Sequence, residues 1–159
     1  MKMKIIISVV VLTIISVAAF VVAGGEPKAS QEQMEKMRGT EGYYSHSKEE
    51  VQIDPYGEME IMTNLMDNKM LKLKFDVKYR VGLEWGEDFS PAMEAFTMAM
   101  SEIRSELLTR IRGKESKDLK GVELLIFKQE LIDIINDIVF PKQMGRVSKI
   151  LIKDLIIQG

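Results

Sequence analysis

The most constraining feature of the chain is an alternation of apolar and polar residues over residues 70–85. Apolar side chains occupy every second position, at Leu71, Leu73, Phe75, Val77, Tyr79, Val81 and Leu83. The positions between them are polar: Lys72, Lys74, Asp76, Lys78, Arg80 and Glu84. A period of two over this length is typical of a long β-strand with one buried and one solvated face. Residues 57–66 predict a second strand, and Asp67 and Asn68 predict the hairpin turn between the two.

The following segment changes to the spacing of an amphipathic helix. Its apolar stripe repeats every three or four residues, at Met93, Phe96, Met100, Ile103, Leu107 and Ile111. Such a stripe predicts a helix that packs one face on a core. Ser90 is the candidate N-cap, Pro91 suits the first helical position, and Gly113 favours the end of the helix.

A short capped turn and a second amphipathic helix are predicted next. Ser116 is the candidate cap of the turn, and Leu119 is expected to be buried. The stripe of the second helix comprises Leu124, Phe127, Leu131, Ile134 or Ile135, and Ile138. Pro141 cannot continue a helix and therefore predicts its end.

The last segment, residues 147–158, is rich in β-branched residues. It is apolar on both faces apart from Lys149, Lys153 and Asp154. Such a run is typical of a strand inside a sheet that helices cover. The predicted order is strand, strand, helix, helix, strand, which defines an α+β fold whose last strand completes the core.

The N-terminal segment predicts a membrane anchor over residues 1–24. Residues 5–23 are nineteen residues without a charge. As a helix they would be about 28 Å long, close to the roughly 30 Å hydrocarbon core of a bilayer. Lys2 and Lys4 precede this run and favour an N-terminus in the cytoplasm. The alternative is a cleaved signal peptide that ends before Gly24, although its apolar run would be unusually long.

Residues 25–50 predict a polar linker, because they are rich in glycine and mixed charge and poor in aliphatic side chains. That composition buries too little apolar surface to offset the conformational entropy of the chain. Residues 29–38 could form a short helix that extends the membrane segment, since Ser30 precedes helix-favouring residues. The folded domain is expected to begin near Val51 and to comprise residues 51–159.

Composition excludes several classes of function. The chain has no cysteine, which excludes disulfides, a thiol nucleophile and a thiolate metal site. The net charge is −2, so no overall field attracts the protein to nucleic acid. The only histidine, His46, lies in a polar stretch without a second metal ligand nearby. No phosphate-binding loop or nucleophile–base motif is present, and we predict a protein that is not an enzyme and holds no cofactor or metal.

Three features of the sequence could serve as binding sites. Acidic residues cluster at Glu84, Glu87 and Asp88. They lack the spacing of a calcium loop and are interpreted as a polar turn ahead of a helix N-terminus. Methionines that could bind Cu(I) cluster at Met59, Met62, Met66 and Met70. Met59 and Met62 fall on opposite strand faces, which favours packing. The cationic face of the long strand could bind an anionic partner or nucleic acid, but is interpreted as its solvated side.

Three short motifs lie in the helical and C-terminal parts of the chain, at residues 101–105, 115–119 and 154–158. Together with the anchor and the linker they resemble the FliL family, the flagellar basal-body-associated proteins of bacteria. In that family the corresponding runs read like PEIRD, Thr/Ser-x-x-Asp-Leu and TDFVVQ. Ser101 and Leu155 depart from the proline and the phenylalanine that are usual there. The residues for which the resemblance implies a structural or assembly role are Glu102, Ile103, Arg104, Leu107, Asp118, Leu119, Asp154, Leu155 and Gln158.

The resemblance implies a single-pass protein of the bacterial inner membrane with a periplasmic domain similar to the stomatin (SPFH-type) fold. It further implies a location at the flagellar basal body, flagellar stator proteins as partners, and self-association into a ring around or beside stator units. The implied role is support of stator engagement, torque, chemotaxis and swimming or swarming motility. The alternative function is a membrane-anchored periplasmic binding or chaperone-like module unrelated to motility.

Overall fold

The computed structural model describes residues 31–45, 51–53 and 59–159. The chain divides into two compact units, Met1–Gln33 and Met34–Gly159. The predicted membrane anchor and His46 lie outside the described residues. Within the described ranges no helix has the length and apolar character needed to cross a bilayer.

The elements form a mixed α+β fold. In chain order they are the helices α1 (Gln31–Met37) and α2 (Glu41–Tyr44), the strands β1 (Val51–Ile53), β2 (Met59–Asn64) and β3 (Met70–Val81), the helix α3 (Ser90–Arg112), a 3₁₀ turn (Ser116–Leu119), the helix α4 (Gly121–Val139) and the strand β4 (Gly145–Gln158). This confirms the predicted class and the order strand, strand, helix, helix, strand. The helices α1 and α2 and the short strand β1 precede that series.

The sheet is antiparallel and β3 is its central strand. β4 pairs with β3 along residues 70–81 and occupies the whole of one edge. β2 and β1 pair with residues 70–75 and 77–79 of β3, and therefore lie end to end along the other edge. The predicted position of the last strand inside the sheet is wrong, because β3 is the only described strand with which β4 pairs.

Two bulges in β4 explain why its sequence is apolar on both faces. The register with β3 shifts between Lys74 and Phe75 and again between Lys78 and Tyr79. Each shift inserts one extra residue into β4 and reverses the face on which the following side chains lie. The side chains that face the helices are consequently not in strict alternation: Val147, Ile150, Ile152, Leu155 and Ile157. A single hydrophobic face thus appears in the sequence as two.

Helices α3 and α4 cover one face of the sheet and form the core with it. The predicted inward residues of β3 are buried from Leu71 to Val81. The α3 stripe is confirmed at Phe96, Ile103, Leu107 and Ile111, and the α4 stripe at Phe127, Leu131, Ile134 and Ile135. The prediction for Met93 is wrong, since its side chain is 47% exposed and Ala92 is buried beside it.

Both predicted caps are displaced by one residue because acidic side chains take over the capping. α3 begins at Ser90, whose N–H donates to Asp88 Oδ1 at 2.9 Å. This bond lowers the pKa of Asp88. The 3₁₀ turn is capped by Glu115, whose N–H donates to Asp118 Oδ2 at 2.8 Å. Ser116 is instead buried behind the cap.

The hairpin turn between β2 and β3 is fixed to the 3₁₀ turn. Lys69 Nζ donates to Ser116 Oγ at 2.8 Å, and the N–H of Ser116 donates to Asp67 Oδ2 at 3.2 Å. The hydrogen bonds from Ser116 and the ion pair with Lys69 lower the pKa of Asp67 from its ordinary value of 3.8 to about 2. The Asp67 carboxylate therefore holds two loops together in its ionised form.

This coupling predicts an acid-sensitive contribution to stability. A carboxyl whose pKa is lower in the folded state stabilises the fold above its unfolded pKa, and this contribution is lost as the pH falls through the folded value. Asp67→Asn should therefore be less stable than wild type at pH 6, and the difference should shrink between pH 3.8 and about 2. Thermal unfolding of both proteins across this range is the measurement. A difference that stays constant down to pH 2 would contradict the assignment.

Candidate interaction surfaces

The described residues contain no cluster of acidic and histidine side chains that could hold a metal ion. Two members of the acidic cluster Glu84, Glu87 and Asp88 make separate structural contacts. Asp88 caps α3, which confirms the interpretation as a polar turn. Glu84 accepts a hydrogen bond from Arg38 Nε at 3.0 Å. This bond connects Glu84 with the segment that precedes β1.

The methionine cluster is also divided as predicted. Met59 packs against the core, whereas Met62 is exposed on the opposite face of β2. A shallow groove of about 590 Å³ lies beside it, lined by Met62, Thr63, Asn64, Met70 and Arg112. Arg112 Nε donates to Thr63 Oγ1 at 3.1 Å, which places a cation in the groove. A fixed positive charge disfavours a metal cation there.

The segment of residues 34–45, here called the strap, packs on the folded unit. Tyr43 and Tyr44 are buried, and burial raises the pKa of both hydroxyls. Tyr44 Oη donates to the carbonyl oxygen of Gln143 at 2.7 Å. The sequence predicted that the folded domain begins near Val51. The folded unit begins earlier, because two tyrosine side chains of this polar segment are buried in it. The two adjacent tyrosines could have indicated this burial, but the polar average composition of the segment concealed them.

Gly82 makes room for the strap. A Cβ at this position would lie 2.1 Å from Cε1 of Tyr43, far inside van der Waals contact. Gly82→Ala should therefore displace Tyr43 and expose the strap to protease, while the sheet and the two long helices stay folded. Gly113→Ala is the matched control, because its Cβ would meet the nearest atom, the carbonyl oxygen of Arg110, at an ordinary 3.5 Å. Equal cleavage rates of wild type and Gly82→Ala would contradict the prediction.

The first family motif, together with Leu107 two residues beyond it, joins α3 to the sheet. Ile103 and Leu107 are buried in the core. Arg104 Nη2 donates to the carbonyl oxygen of Glu60 at 3.0 Å and so connects α3 with β2. Glu102 is exposed. Three of these four residues therefore have an evident structural role. Glu102 makes no such contribution to the core and lies on the surface.

The other two motifs lie at separate places. Asp118 completes the cap of the 3₁₀ turn and Leu119 is buried. Leu155 packs partly buried against the core, opposite Leu73. The register places Asp154 and Gln158 on the exposed face of β4. The motif residues are thus not assembled into one site, and most of them hold the elements together.

The face of the sheet opposite α3 and α4 is here called the outer sheet face. The register places on it Glu60, Met62, Met70, Lys72, Lys74, Asp76, Lys78, Arg80, Arg146, Lys149, Leu151, Asp154, Ile156 and Gln158. Glu60 forms ion pairs with Lys74 at 3.2 Å and with Lys72 at 3.7 Å. The hydrogen bond from Lys74 is the main cause that lowers the pKa of Glu60. The predicted cationic strand face is therefore real and partly neutralised.

The outer sheet face changes character along the strands. At the hairpin end Met62, Met70 and Ile156 are exposed apolar side chains. At the other end Lys78 lies opposite Lys149, and Arg80 lies opposite Arg146. Like charges directly across a strand pair are destabilising, and at Arg146 this repulsion is offset by an ion pair with Glu41 of the strap. This end of the outer sheet face is therefore cationic, and an acidic side chain of the same chain neutralises part of its charge.

The geometry defines a class of protein: a small α+β domain whose described part presents exposed apolar and charged surfaces on its sheet and helices. The model of the FliL family, flagellar basal body-associated protein FliL, matches residues 56–158. The chain belongs to the FliL family, and the resemblance noted in the sequence is confirmed. Membership indicates a flagellar basal-body-associated protein that serves motility. A comparison with curated proteins found no match.

Proposed function

We propose that this protein is a non-enzymatic component of the flagellar motor that supports stator engagement and torque in swimming or swarming. The observation that carries the proposal is the family match, which covers residues 56–158 of the folded unit. The surface supports it, because the conspicuous features are an exposed sheet face and exposed helix faces. Flagellar stator proteins are the proposed partners.

The proposed location is the bacterial inner membrane, with residues 5–23 as a single transmembrane helix. The N-terminus lies in the cytoplasm and the folded unit, which we propose to resemble the stomatin-type fold, lies in the periplasm. The apolar run contains no ionisable residue. Helices that conduct protons need one, so this protein acts on the proteins that power the motor and does not supply an ion path itself.

Self-association is part of the proposal. Copies anchored in one membrane share a single orientation, and a contact between two different faces of the same chain forms a ring when the rotation between neighbouring copies closes. The ring would surround or adjoin a stator unit. Confinement to the membrane raises the effective concentration of the domains, so even a weak contact would suffice.

Localisation tests the proposed place of action. The full chain with a fluorescent protein at its N-terminus should form foci that coincide with labelled flagellar hooks. A version that begins at Met34 and is exported by an unrelated cleavable signal should lose the foci, because it lacks the anchor. Foci away from the hooks, or an even distribution of the full chain over the envelope, would favour the anchored binding or chaperone-like module unrelated to motility.

A further inference from the structure

The exposed side of α4, here called the α4 outer face, is divided into an apolar and an acidic half. Val122, Leu125 and Ile126 are each between 50% and 72% exposed. Gln129, Asp133 and Asp137 continue the same face toward the C-terminus at spacings of three or four residues, and all are exposed. Exposed aliphatic groups at these spacings are typical of a helix face that another surface covers.

The outer sheet face repeats this division with the opposite charge. Its apolar end carries Met62, Met70 and Ile156, which are between 42% and 58% exposed. Its other end carries the cross-strand pair Lys78 and Lys149, next to Arg146, whose charge is already paired with Glu41 of the strap. The α4 outer face and the outer sheet face therefore match in both respects: apolar groups meet apolar groups at one end, and carboxylates meet ammonium groups at the other.

The dimensions of the two faces agree as well. A helix rises 1.5 Å per residue, so Asp137 lies about 20 Å along α4 from the centre of its apolar group. A strand rises about 3.4 Å per residue, so the row of Lys78 lies about 20 Å along β3 from the row of Lys72, which contains Met62 and Ile156. If α4 lies along the strands, both halves make contact at once.

We propose that the α4 outer face of one copy docks on the outer sheet face of the next copy. The two faces lie on opposite sides of the layered domain, since α4 packs on the inner side of the sheet. A contact between them is heterologous, and it leaves one free face of each kind for a further copy. The inference rests on the proposed self-association and specifies the residues that form it.

Crosslinking between introduced cysteines tests the contact directly, because the chain contains no cysteine of its own. The full chain with Leu125→Cys and Met62→Cys, expressed from its own locus, is treated with a short membrane-permeant bismaleimide. It should give a ladder of dimers, trimers and larger species. Each single-cysteine variant should stay monomeric, since a heterologous contact does not bring identical residues together.

A matched variant tests the orientation. Asp137→Cys with Met62→Cys uses the same two faces but joins the acidic half to the apolar end, and it should give no ladder. Charge reversal adds an independent readout: Asp133→Lys with Asp137→Lys should abolish the ladder of the Leu125 and Met62 cysteines. Adding Lys78→Glu with Lys149→Glu should restore it. Restoration also shows that the altered proteins are folded.

Three results would overturn the inference: monomers from the Leu125 and Met62 pair, dimers from either cysteine alone, or adducts to another polypeptide in place of the ladder. These outcomes are separable from failure of the proposed function. Monomers in cells whose tagged protein coincides with flagellar hooks would reject this contact and leave the motor role in place. A ladder from protein that is absent from the hooks would do the reverse.

Discussion

Replacing Phe96 by alanine should lower the free energy of unfolding by about 3–5 kcal/mol, the range for truncation of a buried aromatic side chain. Phe96 lies at the centre of the aromatic cluster between sheet and helices. Its ring centroid is 5.4 Å from that of Tyr79 and 5.4 Å from that of Phe140. The alanine leaves a cavity and removes both ring contacts, which contribute beyond their buried area.

Denaturant unfolding of the unit Met34–Gly159 measures this loss. Met98→Ala is the control on the same helix, because Met98 is 73% exposed and its truncation should change stability by less than about 0.5 kcal/mol. A loss below about 1 kcal/mol for Phe96→Ala would mean that the aromatic cluster does not form the core.

The second large effect concerns the C-terminal strand. Ile150→Asp should unfold the unit, because Ile150 is buried against the helices and an unpaired carboxylate there costs on the order of 3–5 kcal/mol. Domains of this size are stable by only about 5–15 kcal/mol in total. Ile156→Asp should have little effect, since Ile156 lies on the outer sheet face of the same strand.

Leu155→Asp should fall between these two variants, because Leu155 is only partly buried. The thermal midpoints should therefore rank Ile150→Asp lowest, Leu155→Asp next and Ile156→Asp close to wild type. This ranking follows from the bulges in β4. If β4 alternated strictly, Ile150 and Ile156 would lie on the same face of the sheet. The two substitutions would then lower the thermal midpoint equally.

The parts of the fold that sequence could predict are those in which local pattern and tertiary position agree. The strand β3 alternates without a bulge from Leu71 to Val81, so its two faces could be assigned from spacing alone. The stripes of α3 and α4 were predicted for the same reason. The start of α3 depends on Asp88, a side chain outside the helix. The predicted cap was therefore displaced by one residue.

The errors have physical causes of a different kind. An inserted residue in a strand leaves no mark on composition, so the bulges of β4 made an edge strand look like a doubly covered one. The strap was assigned to a polar linker because its average composition is polar, although Tyr43 and Tyr44 are buried and Arg38 contacts Glu84. The candidate contact surfaces also depend on register, since only the pairing of β3 with β4 shows that Lys78 faces Lys149.

Motor torque in a clean deletion strain tests the proposed role most directly. Flagellar filaments should assemble normally, and torque and stator number should be close to wild type at low viscosity. At high viscosity, where retention of stators limits torque, both should fall, and the full-length gene supplied in trans should restore them. Wild-type torque and stator number at every viscosity would contradict the proposed role.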